Sequence, residues 1–192
     1  DLPHITSCCP GWVEYAEHNY SDILHHLSTA KSPQQMFSAI AKTYYSKLAD
    51  VNPEDIYTVS VMPCTAKKFE KEREEMNDSG YKDTDAVLTT REISRMIQEI
   101  GIKFIQLEEE EYDELLGKAT GAGTIFGTTG GVTEAAVRTV KEKLTGEELD
   151  RLNLGFRGVN EAEIEIGDRT IKVAIANGLR NASQLLDEVR AG

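Results

Sequence analysis

The stretch IYTVSVMPCTAKKFE, residues 56–70, decides the fold class. Ile56 to Val61 is a β-branched and aromatic run of strand length, set off from what precedes it by Asn52-Pro53. It leads straight into Met62-Pro63-Cys64, and AKKFEKEREEM (66–76) then reads as a charged helix. Strand, cysteine-bearing turn and helix in that order are the elements of an α/β fold, in which loops after strand C-termini carry the chemistry.

The neighbouring segments continue the alternation. Upstream, Pro10 to about Tyr20 permits a short helix, and Ser32-Pro33-Gln34-Gln35 starts a longer one. Ser32 is placed as an N-cap, Pro33 at the first helical position and Gln35 as the third residue of a capping box. Met36, Ile40, Tyr44 and Leu48 follow at helical spacing, to about Ala49. Downstream, NDSGYKDT (77–84) is a loop, DAVLTT a short strand, and Thr90 caps REISRMIQEIGI, whose Ile93, Met96, Ile97 and Ile100 form a stripe. Glu108 to Glu111 reads as a solvated loop and YDELLG (112–117) as another helical turn. A glycine-rich stretch, GKATGAGTIFGTTGGV (117–132), precedes a helix from Thr133 to about Leu144 and a shorter one near 146–152. EIEIGDRTIKVAIANG reads as a hairpin or two strands, and Leu179 to about Val189 as a final helix. The pattern predicts an α/β fold with mainly parallel sheets flanked by helices, residues 1–192 forming a single domain with room for two lobes.

Composition narrows the function classes. A chain of 192 residues can bury about 70% of its unfolded surface. With 40% hydrophobic and 28% charged residues it has an ordinary globular balance. The 33 acidic residues against 21 basic ones give a net charge of −12, which repels nucleic acid and anionic membrane surfaces. No apolar run approaches the roughly 18 residues of a membrane span. The start, DLPHITSCC, has neither a basic nor an apolar leader region and no initiator Met, so the sequence is expected to be a segment of a longer protein.

Three cysteines, Cys8, Cys9 and Cys64, cannot build a disulfide framework, which favours a reducing compartment or thiols occupied by chemistry. A single buried cysteine is usually a small hydrophobe. The pair in TSCCPGW (6–12) reads differently, because successive side chains cannot share one apolar pocket and a cysteine followed by proline in a tight turn is a common way to present a thiolate to an iron-sulfur cluster. Pro63-Cys64 repeats the pattern in reverse, so Cys9 and Cys64 make half of a four-thiolate site. Zinc is the rival, but no CxxC pair or nearby histidine supports it. Lys67 and Lys68 fall in the first helical turn after Cys64, where an ammonium can meet an anionic ligand or cluster, or simply face solvent. Glu70, one turn on, reads as a helix-surface residue or part of a proton path and decides nothing alone, and Ser28 and Ser32 read locally as caps. GAGTIFG is a poor dinucleotide fingerprint, with no strand before its first glycine, and the stretch lacks the lysine of a phosphate loop. Its glycines instead let backbone approach a compact cofactor, with Phe126 shielding it from water. His4, His18, His25 and His26 show no metal-binding spacing and read as surface or packing residues.

Taken together, TSCCPGW, MPCTAKKFE and IFGTTGGV resemble the catalytic H-cluster domain of the iron-only (FeFe) hydrogenases. STAKSPQQ, DAVLTTREISRMI and TIKVAIANGLRNA extend the resemblance over essentially all 192 residues. It implies the two-lobed fold of that domain and the reversible oxidation of H2 to protons and electrons. Cys9 and Cys64 match two of the four thiolate ligands of the 4Fe-4S subcluster, and Cys8 a free thiol beside the di-iron subcluster that passes protons to the bridging dithiolate. Lys67 matches the lysine that holds a cyanide ligand, Pro33 and Gln34 the backbone lining that ligand, and Ser28 a serine of the proton relay. Met62, Phe126 and Gly127 match positions around the di-iron unit. The physical reasons agree: a thiol, ordinarily titrating near about 8.5, exchanges protons near neutrality where an aliphatic hydroxyl cannot, and a buried ammonium gives a charge-assisted bond.

Two departures go with it. The family's third signature, a glycine-rich cysteine pair that supplies the remaining cluster ligands, is absent, as are the acidic relay residues upstream of TSCCPGW. The chain alone is therefore expected to be inactive and to bind no cluster, the H-cluster belonging to a parent protein that exchanges electrons with ferredoxin or a similar carrier. A cytoplasmic location is expected, with the periplasm as the alternative. Two other readings stand beside this one. A hydrogen sensor or iron-sulfur assembly protein could share the fold without turnover, although the first cysteine of the pair is typically replaced in the assembly proteins. Cysteines that are merely buried would make the chain a structural module.

Overall fold

Proline at the first helical position opens two helices, because its fixed φ suits the turn and its missing N–H has no partner there. These are α1, Pro10–Asn19, and α2, Pro33–Ile40. The computed structural model describes residues 3–117, 121–147 and 159–191. It divides into two units, Asp1–Gly117 and Lys118–Gly192.

In the first unit α2 runs on through a π-helical turn, Ala41–Tyr45, into α3, Ser46–Leu48. The long helix is turned opposite to its apolar stripe. Gln34, Gln35, Ser38, Lys42 and Ser46 are buried, while Met36, Ile40, Tyr44 and Leu48 are 41, 45, 61 and 64% exposed. The buried polar face is tolerated because most of it is paired, Gln35 Nε2 being the exception. The Thr84 hydroxyl lies 3.1 Å from Gln35 Oε1 and 2.9 Å from Ser38 Oγ, and Lys42 Nζ donates to the Lys82 carbonyl at 2.6 Å and to Asp85 Oδ1 at 2.9 Å. Gln35 is therefore engaged with Thr84 and closes no capping box; the Ser32 side chain makes no capping bond either. Asp83, fully buried, takes Lys31 Nζ at 2.6 Å and Ser79 Oγ at 2.8 Å.

Strand β1, Val59–Val61, pairs in parallel with β2, Ala86–Leu88, in the register Ser60 to Val87. The Met62 N–H extends the ladder to the Leu88 carbonyl at 2.9 Å. Helix α4, Ala66–Glu70, is shorter than the charged run suggests, which continues only as a 3₁₀ turn at Glu74–Asn77. Helix α5, Thr90–Ile100, is capped one residue earlier than expected. Thr89 Oγ1 accepts from the Glu92 N–H, and Glu92 Oε2 accepts from the Thr89 N–H at 2.8 Å, a complete capping box. YDELLG, residues 112–117, is irregular instead of helical.

In the second unit α6, Gly121–Ile125, and α7, Gly131–Thr145, precede the antiparallel hairpin β3, Val159–Ile166, and β4, Arg169–Ala176, which is followed by α8, Leu179–Ala191. Ile166 pairs with Arg169 across a two-residue turn whose Gly167 has φ +62°. Alternation puts Ile164, Ile166 and Val173 on one face, with Val137 of α7 packed against them. The short helix expected near 146–152 lies largely outside the described residues. Helix and strand alternate as the sequence implies, one sheet being parallel and the other an antiparallel hairpin.

Candidate functional site

The doubled cysteine sits where an extended segment becomes a helix. Cys9 is the N-cap of α1, with φ −102° and ψ 107°, and Pro10 starts the helix. Because extended backbone sends successive side chains apart, Cys8 is half-buried while Cys9 is exposed. The segment before them pairs with the stretch after Leu24: Ile5 bridges Leu27, the Ser28 N–H reaches the Ile5 carbonyl at 2.7 Å, and Ser7 Oγ donates to the Ala30 carbonyl at 2.9 Å. Ser28 thus lies on the stretch alongside the Cys8 segment, its hydroxyl accepting from the Ala30 N–H at 3.2 Å.

Cys64, also half-buried, follows β1 and precedes α4. The two cysteine turns are brought together by the helices they start, since a Cβ placed on Gly11 would stand 4.0 Å from Ala66 Cβ. Arg73 fastens the far ends, donating to Glu17 Oε1 at 2.5 Å and Oε2 at 3.0 Å. The Arg73 hydrogen bond holds the Glu17 carboxyl below the usual carboxylate range.

The two lysines after Cys64 part company. Lys68 turns outward to Glu92 at 2.6 Å, and this bond, ahead of the Thr89 contacts, lowers the Glu92 carboxyl to about 2. Lys67 turns inward and is 5% exposed. Its ammonium donates to the Cys8 carbonyl at 2.7 Å and to Glu70 Oε2 and Oε1 at 3.1 and 3.2 Å. Glu70 Oε2 also accepts from Ser32 Oγ at 2.9 Å and Gln34 Nε2 at 3.4 Å, and Gln34 Oε1 accepts from Ser60 Oγ at 2.7 Å.

The structure therefore gathers Cys8, Lys67 and Gln34, expected from the sequence, around Glu70, which the sequence left open between the helix surface and a proton path. Glu70 was hard to see because an i, i+3 Lys–Glu pair in a charged run usually faces solvent. Pro33 is half-buried at the start of α2, and Met62 is half-buried at the end of the β1 ladder. Phe126, 41% exposed, and Gly127 lie in the second unit between α6 and α7.

Among the described residues no three His, Cys, Asp or Glu side chains are grouped closely enough to hold a metal ion. The free thiols of Cys9 and Cys64, on two adjoining turns, nevertheless have the donor chemistry that part of a thiolate-ligated cluster requires.

The sequence profile described as the iron only hydrogenase large subunit, C-terminal domain, matches residues 1–192. The chain belongs to this iron-only hydrogenase family. It is 49% identical over its whole length to the NADP-reducing hydrogenase subunit HndD of Solidesulfovibrio fructosivorans, covering 33% of that protein. It is 47% identical, again over its whole length, to the periplasmic [Fe] hydrogenase large subunit of Nitratidesulfovibrio vulgaris, covering 46%. The apo [FeFe]-hydrogenase HydA1 of Chlamydomonas reinhardtii, variant C377H, superposes with a TM-score of 0.84 at 36% identity, over all of this chain and 56% of that one. A more distant match, 33% identical over the whole chain and 42% of the other protein, is the cytosolic iron-sulfur assembly component 3 of Mus musculus. The chain spans a third to about half of the length of these curated relatives. The fold and family expected from the cysteine motifs are those of the iron-only hydrogenases, and no described helix is long and apolar enough to cross a membrane.

Proposed function

We propose that this chain is the part of an iron-only hydrogenase that supplies the proton-handling thiol and two cluster ligands for the reaction 2H⁺ + 2e⁻ ⇌ H2. The observation that carries the reading is the bond from the buried Lys67 ammonium to the carbonyl of Cys8, beside a second cysteine free to ligate metal. When bound, the H-cluster would supply the redox chemistry and the open coordination position, as cofactors do. Cys9 and Cys64 would hold its 4Fe-4S part, with the remaining two thiolates coming from outside these 192 residues, which contain only three cysteines. Pro33, Gln34 and Met62 would line its di-iron part.

The chain's own residues then have separate tasks. Lys67 orients: its position is fixed by three acceptors, so an anionic ligand would find a charge already aimed. Cys8 moves a proton at Sγ, its backbone pinned by Lys67 while the thiol stays unbonded to metal. Ser28, on the adjoining stretch, would pass that proton on. Electrons would go to ferredoxin or a similar carrier. We place the protein in the cytoplasm, whose reducing thiol pool suits three free cysteines; the N. vulgaris relative is a periplasmic protein.

Hydrogen evolution by the full-length protein carrying Cys8→Ser tests the reading. Turnover should drop by at least about a hundredfold, the usual weight of a general acid–base group, while iron and sulfide content stays unchanged. A wild-type protein that loads iron but turns over no hydrogen would favour a sensor or assembly role.

A further inference from the structure

We propose that Glu70 is a positioning residue of this site, holding the Lys67 ammonium and, through it, the Cys8 segment. The inference rests on the reading above in taking Lys67 to face an anionic ligand. Glu70 is 3% exposed, against 5% for Lys67, so the pair lacks the solvent that makes most i, i+3 ion pairs dispensable. A buried ammonium needs a counter-charge, and a buried carboxylate needs its lone pairs filled. The counter-charge comes from within α4, as the Lys67–Glu70 pair, and the remaining donors come from elsewhere: Ser32 from the residue before α2 and Gln34 from its first turn, itself held by Ser60 of β1.

The distances assign unequal roles to the three ammonium bonds. The Cys8 carbonyl takes the shortest, 2.7 Å, while the two carboxylate oxygens share slacker contacts of 3.1 and 3.2 Å. Two oxygens of one group are redundant for neutralising the charge. One can be released, freeing a hydrogen for an incoming anion while the other keeps Lys67 in place and the Cys8 bond intact. Ser32 is 1% exposed and spends its hydroxyl on Glu70 instead of capping α2, the sort of diverted group that keeps a carboxylate oriented.

The test uses the full-length protein. In its cofactor-free form, iodoacetamide labelling of Cys8 and Cys64 is followed by peptide mass spectrometry in wild type, Glu70→Gln, Glu70→Asp, Ser32→Ala and Lys67→Met. Glu70→Gln and Lys67→Met should speed Cys8 labelling by about tenfold, the weight of one charge-assisted bond, with Cys64 unchanged. Ser32→Ala should fall between, and Glu70→Asp should restore most of the wild-type rate. The proposal is overturned if Glu70→Gln leaves Cys8 labelling within about twofold of wild type, or speeds Cys64 equally, as general loosening would. Should Glu70→Gln not accumulate folded, Ser32→Ala decides by the same criterion. In the loaded protein, the infrared cyanide bands should move in the same direction in Glu70→Gln as in Lys67→Met. Bands unmoved in Lys67→Met overturn the ligand assignment of Lys67, and the labelling rates still judge Glu70 separately.

Discussion

Lys42 and Asp85 form an ion pair whose halves should not be equally costly to remove. The Lys42 side chain is 5% exposed and that of Asp85 18%. The ammonium reaches Asp85 Oδ2 at 2.8 Å, Oδ1 at 2.9 Å and the Lys82 carbonyl at 2.6 Å. Asp85 has other support, its Oδ2 accepting from the Thr58 N–H at 2.7 Å, with the Thr58 hydroxyl, which lies 2.7 Å from the Asp83 carbonyl, 3.1 Å away. Asp85→Asn leaves a nearly dry ammonium with one carbonyl and a neutral amide, which should cost about 3–4 kcal/mol, the range for an orphaned buried charge. Lys42→Met leaves a carboxylate that keeps the Thr58 N–H and some water, while methionine fills the aliphatic space, so the loss should be about 2 kcal/mol, close to one charged hydrogen bond. Trp12, the single tryptophan, lies in the same unit and reports urea unfolding by fluorescence. With a slope of about 1–2 kcal/mol per molar urea, the midpoint should fall roughly twice as far for Asp85→Asn as for Lys42→Met, with unchanged slopes. A larger loss for Lys42→Met would refute the argument that burial asymmetry sets the order.

Two further outcomes follow from particular residues. Burial raises the Asp85 carboxyl, but the Lys42 and Thr58 bonds more than reverse this and leave it below its ordinary value. A depressed carboxylate stabilises the fold above its unfolded pKa of about 3.9 and loses that contribution as pH falls through the folded value; the urea midpoint gap between wild type and Asp85→Asn should therefore persist from pH 7 to about 5 and narrow below about 4. In the second unit, a Cβ on Gly131 would stand 1.8 Å from the Ile125 carbonyl oxygen, whereas one on Gly130 would meet the Ile175 side-chain tip, Cδ1, at 2.1 Å at φ +72°. Since backbone yields less than a side-chain tip, Gly131→Ala should cost about 3 kcal/mol or more and Gly130→Ala about 1–2 kcal/mol, so thermal melting followed by circular dichroism should show the larger drop for Gly131→Ala.

Local covalent preference made much of this protein legible in its sequence. Proline placed the starts of α1 and α2, the β-branched run 56–61 contained β1, Val59–Val61, and EIEIGDRTIKVAIANG, read as a hairpin or two strands, forms the hairpin. The cysteine motifs carried the family. Each of these signals is short-range, a backbone angle or a spacing along one element.

Tertiary pairing decided the rest. The apolar repeat Met36, Ile40, Tyr44, Leu48 indicated a helix but not its rotation, because the opposite face found partners in Lys82, Thr84, Asp85 and Glu70 that lie 36 to 49 residues away. The same distance in sequence hid the use of Ser32 and Gln35, which look like capping residues until Glu70 and Thr84 claim their side chains. It also hid the difference between Lys67 and Lys68, adjacent in sequence but about 100° apart around a helix, so that one reaches the Cys8 carbonyl and the other Glu92. Sequence alone names the groups able to bear charge; which charges are removed from water, and against what partner, is settled only when distant segments meet.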